Sequence, residues 1–83
     1  MDRILIDVYL PADGEHYDIR LPGTMNCLMA AHLTARALSE LSEGAYLPSR
    51  TSVFAWRESG RLLSASRSLE QEQVKNGSQL MLI

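Results

Sequence analysis

The last six residues, "SQLMLI", follow directly on Asn76-Gly77 and alternate along their length. Leu80 and Leu82 fall on one side and Gln79, Met81 and Ile83 on the other, which is the period of a strand. An apolar strand closing a sequence restricts the folds open to it. Its amides and carbonyls need neighbours on both sides if it lies inside a sheet. We expect this segment in the middle of a sheet, completing it.

The opening residues supply its neighbour. "RILIDVYL" alternates Ile4, Ile6, Val8 and Leu10 against Leu5, Asp7 and Tyr9, a half-buried strand. "PADGE" carries turn chemistry in Pro11 and Asp13-Gly14. "HYDIRL" alternates again, with Tyr17, Ile19 and Leu21 against His16, Asp18 and Arg20, so the domain opens on a hairpin. "PGT" breaks the second strand, and Thr24 or Asn26 can cap a helix expected to run to about Glu43 and close at Gly44.

At 100° per residue, Cys27, Ala30, Ala31, Thr34, Ala37, Leu38 and Leu41 share one face of that helix. His32, Arg36, Ser39, Glu40 and Glu43 take the other. The inner alanines predict close approach to a sheet. "AYLPSRT" is a connector, and "SVFAWR" is a third strand with Phe54 and Trp56 inward. "ESG" turns into a short fourth strand around "RLLS". "ASRSLEQEQVK" is a loop with about one helical turn, anchored by Leu69 and Val74. The closing strand then lies parallel to the first, between it and the third. The expectation is an α+β fold in the order ββαβ(β)β, a mixed sheet with one long crossing helix, as a single domain over residues 1–83.

Composition narrows the function. Hydrophobic residues at 46% and charged residues at 22% are ordinary for a globular domain. A net charge of −2, with scattered Lys and Arg, argues against nucleic acid and against a membrane surface. The single cysteine, Cys27, allows no internal disulfide and no all-Cys metal site within one chain. "MDRILIDVYL" lacks the apolar core of a signal peptide, and no stretch has the length to cross a bilayer. We therefore expect a cytoplasmic protein.

The opening "ILIDVYL", the second strand "YDIRLPG", the long helix, "GRLL" and the terminal "SLEQEQVKNGSQLMLI" together resemble the ubiquitin-like β-grasp fold. Within it they resemble the small bacterial EsaB/YukD family associated with type VII secretion. The resemblance covers essentially the whole chain. It implies a cytosolic accessory or regulatory component of that machinery, acting by contact with protein partners, a secretion membrane ATPase or another component among them. Conjugated modifiers and sulfur carriers of this fold need a flexible Gly-Gly tail for an adenylating enzyme, whereas Leu82 and Ile83 fall within the closing strand. A further alternative is the N-terminal domain of a larger secretion membrane protein.

No residues compose a nucleophile with its base, a phosphate cradle or a carboxylate pair, so no catalytic residue, cofactor or metal is expected. Cys27 sits on the inward face of the helix, where an inert core thiol is the expected role. His16 and His32 have no third ligand spaced for a metal. Asp7, Asp18 and Arg20 are expected to meet across the hairpin as exposed pairs.

A surface is the stronger candidate. With Ile4, Ile6, Val8, Leu80 and Leu82 inward, the open face of the sheet carries Leu5, Val53, Ala55 and Met81, expected to form one apolar patch and to bind protein. The competing reading is leftover apolar surface on a small domain. Met25 and Met29 are a secondary candidate contact, or else side chains packed beneath the "GAYLPS" loop.

Overall fold

The alternation of the first 21 residues becomes a hairpin of β1 (Arg3–Leu10) and β2 (Glu15–Pro22), antiparallel and in continuous register from Arg3↔Pro22 to Leu10↔Glu15. The computed structural model describes residues 3–41 and 52–83. Gly14 makes the turn possible with φ +71°, and its amide donates to the Leu10 carbonyl at 2.9 Å. Asp13 ties the turn from the side, accepting from the Glu15 amide at 2.9 Å and from the Tyr17 hydroxyl. That hydroxyl bond pushes the Tyr17 pKa up to about 12, because the neutral phenol is the donor.

The helix α1 (Cys27–Leu41) is capped by Asn26, not Thr24. Asn26 Oδ1 accepts from the amides of Leu28 at 2.9 Å and Met29 at 3.3 Å, which satisfies donors otherwise orphaned in the first turn. Its buried face is Cys27, Ala30, Ala31, Thr34, Ala35 and Leu38. Two expected members are corrected: Ala37 and Leu41 are exposed. Ala35 and Ala37 lie about 80° to either side of Cys27 on a helical wheel, and the helix is rolled toward Ala35. Burial along the helix ends at Leu38. The expected helix end at Glu43–Gly44 and the connector with Pro48 lie outside the described residues.

β3 (Phe54–Trp56) and β4 (Gln79–Leu82) complete a four-stranded sheet in the order β2-β1-β4-β3. β4 runs parallel to β1 and antiparallel to β3, so the closing segment is interior, as its pattern requires. The expected short strand around "RLLS" is reduced to a single bridge, Leu62 opposite Ala55. The Trp56 amide donates to Arg61 and the Leu63 amide to Phe54, so this segment lines the outer side of β3.

One core lies between sheet and helix. Ile6, Val8, Leu10, Leu80, Leu82 and Phe54 meet the helical alanines and Leu38 there. Leu69 and Val74 close the core from the long loop, as expected. Small helical side chains let the backbones approach, and the strand side chains fill the space between. Asn76-Gly77 sets the start of β4: Asn76 Oδ1 accepts from the Leu5 amide at 2.8 Å, and the Gly77 amide, at φ +86°, donates to the Leu5 carbonyl at 2.8 Å.

Candidate protein-binding face of the sheet

Strand alternation puts Leu5, Asp7 and Tyr9 of β1 on the face away from the helix. His16, Asp18 and Arg20 join them from β2, and Gln79 and Met81 from β4. Register sorts these residues into rows. One row runs Asp18–Asp7–Gln79, and the next runs His16–Tyr9–Met81–Ala55.

The first row is polar and ion-paired. Arg57, just beyond β3, extends across β4, and its Nη2 lies 3.0 Å from Asp7 Oδ1, 2.9 Å from the Asp7 carbonyl oxygen and 3.2 Å from that of Leu80. His16 Nδ1 lies 3.2 Å from the same Asp7 Oδ1. The Arg57 guanidinium holds the Asp7 carboxyl below its usual range, partial burial opposes this, and His16 adds to the lowering. Arg57 also stands 5.8 Å from the centre of the Tyr9 ring, which packs on His16 at 5.1 Å.

The expected meeting of Asp7, Asp18 and Arg20 is corrected here. Asp18 is directly opposite Asp7, and Arg20 is opposite Leu5. Two like charges face each other, and the cation that relieves them comes from the far side of the sheet.

The second row is apolar at its β4 and β3 end, from Met81 to Ala55. Ala55 is opposite both Met81 and Leu62, and directly opposite residues share a face. Val53 and Ile83 extend it, each amide donating to the other's carbonyl at 2.9 and 3.0 Å. Leu62 is 55% exposed and Ile83 50%, while Met81 and Val53 are half-buried. Ala55 is fully buried, so it forms the floor of this cluster and offers no contact area of its own. Leu5 is not part of it. Its main chain is bonded to Asn76 and Gly77, and the Asp7–Arg57 row stands between it and Met81.

Leu62 and Ile83 were readable from alternation with Leu63 and Leu82, and Arg57 from the run Val53, Ala55, Arg57. Of the secondary candidates, Met25 is half-buried against the core and Met29 is exposed on α1. Cys27 is buried, and burial raises its thiol pKa, with Glu72 adding to the rise and Arg67 opposing it. Among the described residues, no group of three or more His, Cys, Asp or Glu is placed to hold a metal. No described helix is long and apolar enough to cross a membrane.

A parallel pair of outer-sequence strands flanked by antiparallel neighbours, with one helix across a single face, decides the architecture. The fold is the ubiquitin-like β-grasp. No protein-family model and no curated protein matches this sequence. Solved structures do. The β-grasp seen here is similar to the ubiquitin-like domain of the Mycobacterium tuberculosis type VII secretion system protein EccD1, at 22% identity and a TM-score of 0.77, covering 100% of this chain and 99% of that one. It is similar to the EccD5 ubiquitin-like domain from Mycobacterium xenopi at 13% identity and a TM-score of 0.81, covering 100% and 94%. It also matches a chain of the MycP5-free ESX-5 inner membrane complex at 17% identity and a TM-score of 0.78, covering 98% of this chain and 20% of that one. Identities this low establish a shared β-grasp and leave function to the site itself.

Proposed function

We propose that this β-grasp domain is a non-enzymatic interaction module, cytosolic, serving a type VII secretion machinery in the accessory or regulatory manner of the EsaB/YukD proteins. It binds a protein partner through the open face around Met81. The observation that carries this reading is the cluster of Val53, Leu62, Met81 and Ile83 over the Ala55 floor, bordered by the Arg57–Asp7 pair. An apolar centre with a fixed polar border is the composition of a protein interface, where a charged rim orients the partner and apolar anchors hold it. Likeness to the type VII domains supports the choice of machinery.

A second reading is favoured by those same structures. Two of them are domains of EccD proteins, and the third is a chain of which this domain matches a fifth. In that reading the module works as the ubiquitin-like part of a secretion membrane component and uses the same face. Affinity capture of purified type VII components on wild type and on Met81→Asp tests both. Retention by the wild type and loss by the variant, with unchanged circular dichroism, supports the proposal. Equal retention moves the site elsewhere, and no retention by either removes the machinery from the account.

A further inference from the structure

The two edges of the sheet are unlike. The outer side of β3 is lined by residues 61–63, whereas β2 is the other edge and runs for eight residues. Its outward groups follow from the bonds on the far side of β1. The Leu5 carbonyl accepts from Gly77, and the Asp7 amide donates to Ser78, so the main-chain groups of Leu5 and Asp7 point toward β4. Those groups alternate along a strand, so Ile4, Ile6, Val8 and Leu10 point theirs toward β2 and meet Leu21, Ile19, Tyr17 and Glu15. The amides and carbonyls of His16, Asp18 and Arg20 are left pointing out of the sheet. Among the described residues nothing hydrogen-bonds to them.

Exposed edges of this length are normally blunted by charged side chains, lysine above all, by proline or by a bulge, and β2 carries charge in Glu15, Asp18 and Arg20. β2 has no lysine, an unbroken register and a proline only at its last position, Pro22. We propose that this edge pairs antiparallel with the same edge of a second copy, about a two-fold axis passing beside Ile19. Charge selects that register. Outward residues must face outward residues, so symmetric registers differ by steps that bring different side chains opposite one another. With Asp18 on the axis, two aspartates face each other. With Ile19 on the axis, Asp18 faces Arg20 of the second copy twice, and residues 16–22 all pair. Asp18 and Arg20 are exposed, and neither has an ion-pair partner among the described residues.

The helix-side row agrees with this register. Tyr17 and Ile19 are half-buried at the edge and packed on the core. In the pair, Ile19 meets its own copy, and Tyr17 meets Leu21, which covers apolar surface that one copy leaves open. The axis is normal to the sheet, so an eight-stranded sheet presents both open faces in the same direction. Two Met81 clusters on one side would give a partner two contacts at once. The proposal goes beyond the binding role and stands without it, since none of its residues belongs to that cluster.

Sedimentation equilibrium of the full chain tests it, with Asp18→Arg, Arg20→Asp and the double swap beside the wild type. A monomer–dimer equilibrium is expected for the wild type, each single reversal should weaken it about ten-fold or more, and the double swap should restore it. Ile19→Cys fixes the register independently: facing residues of a non-hydrogen-bonded pair stand about 4.5 Å apart, within disulfide reach, and oxidation should cross-link this variant. Asp18→Cys should not cross-link. A wild type that stays monomeric at about 1 mM overturns the proposal. So does a double swap that fails to recover pairing, or cross-linking through Asp18→Cys in place of Ile19→Cys.

Discussion

Arg57 reaches over β4 to Asp7 on β1, with Nη2 3.0 Å from Oδ1 and 2.9 Å from the main-chain oxygen, and so binds together three strands that sequence places far apart. The same contact separates Leu5 from the apolar cluster and borders that cluster on one side.

Replacing Arg57 by Met removes the cation while keeping its stem. Asp7 is then left facing Asp18 with only His16 nearby, and we expect a loss of about 1–2 kcal/mol in urea unfolding at neutral pH. A loss near zero would mean that the pair is no more than a surface contact.

The pH dependence of that pair has a definite sign. The Arg57 guanidinium holds the folded-state pKa of Asp7 below the usual carboxylate range, so its contribution is present above that ordinary range and is lost as pH falls through the lowered folded pKa. Wild type should therefore lose stability more steeply than Arg57→Met below about pH 4. Parallel profiles for the two proteins would contradict the assignment.

Close contact between helix and sheet rests on alanines. Ala31→Leu should destabilise by about 1–3 kcal/mol, because the added atoms have no space between α1 and the strands. At Ala37, which is exposed, the same substitution should be within about 0.5 kcal/mol of neutral. Thermal unfolding of the two variants side by side checks the roll of the helix directly.

Cys27 is buried with a raised pKa, so its thiol should react with a disulfide reagent only as fast as the domain opens. Rates that rise with urea in step with unfolding agree with this. Rapid reaction in the native state would place the thiol at the surface.

Much of this arrangement was legible in the sequence because a strand's period reports its two faces. Ile6, Val8, Leu10, Leu80 and Leu82 alternate cleanly and are all buried. Asn76-Gly77 marks the turn before β4 for the same local reason, a backbone conformation open to glycine. What was not legible depends on relations between elements. The roll that buries Ala35 in place of Ala37 is set by what the helix lies on, and the wheel places both near the boundary. The separation of Leu5 from Met81 is set by the β1–β4 register, which the Asn76–Leu5 bond pins at one end. Arg57 finds Asp7 across β4, and no spacing within one strand encodes that.

The open face around Met81 is proposed as the surface a partner takes. Titrating a purified type VII component into isotope-labelled domain, and following amide shifts residue by residue, tests it most directly. The largest changes are expected at Val53, Leu62, Met81 and Ile83, with Arg57 at their border. Changes gathered instead on the exposed α1 residues Met29 and Leu33, with the sheet face silent, would contradict it.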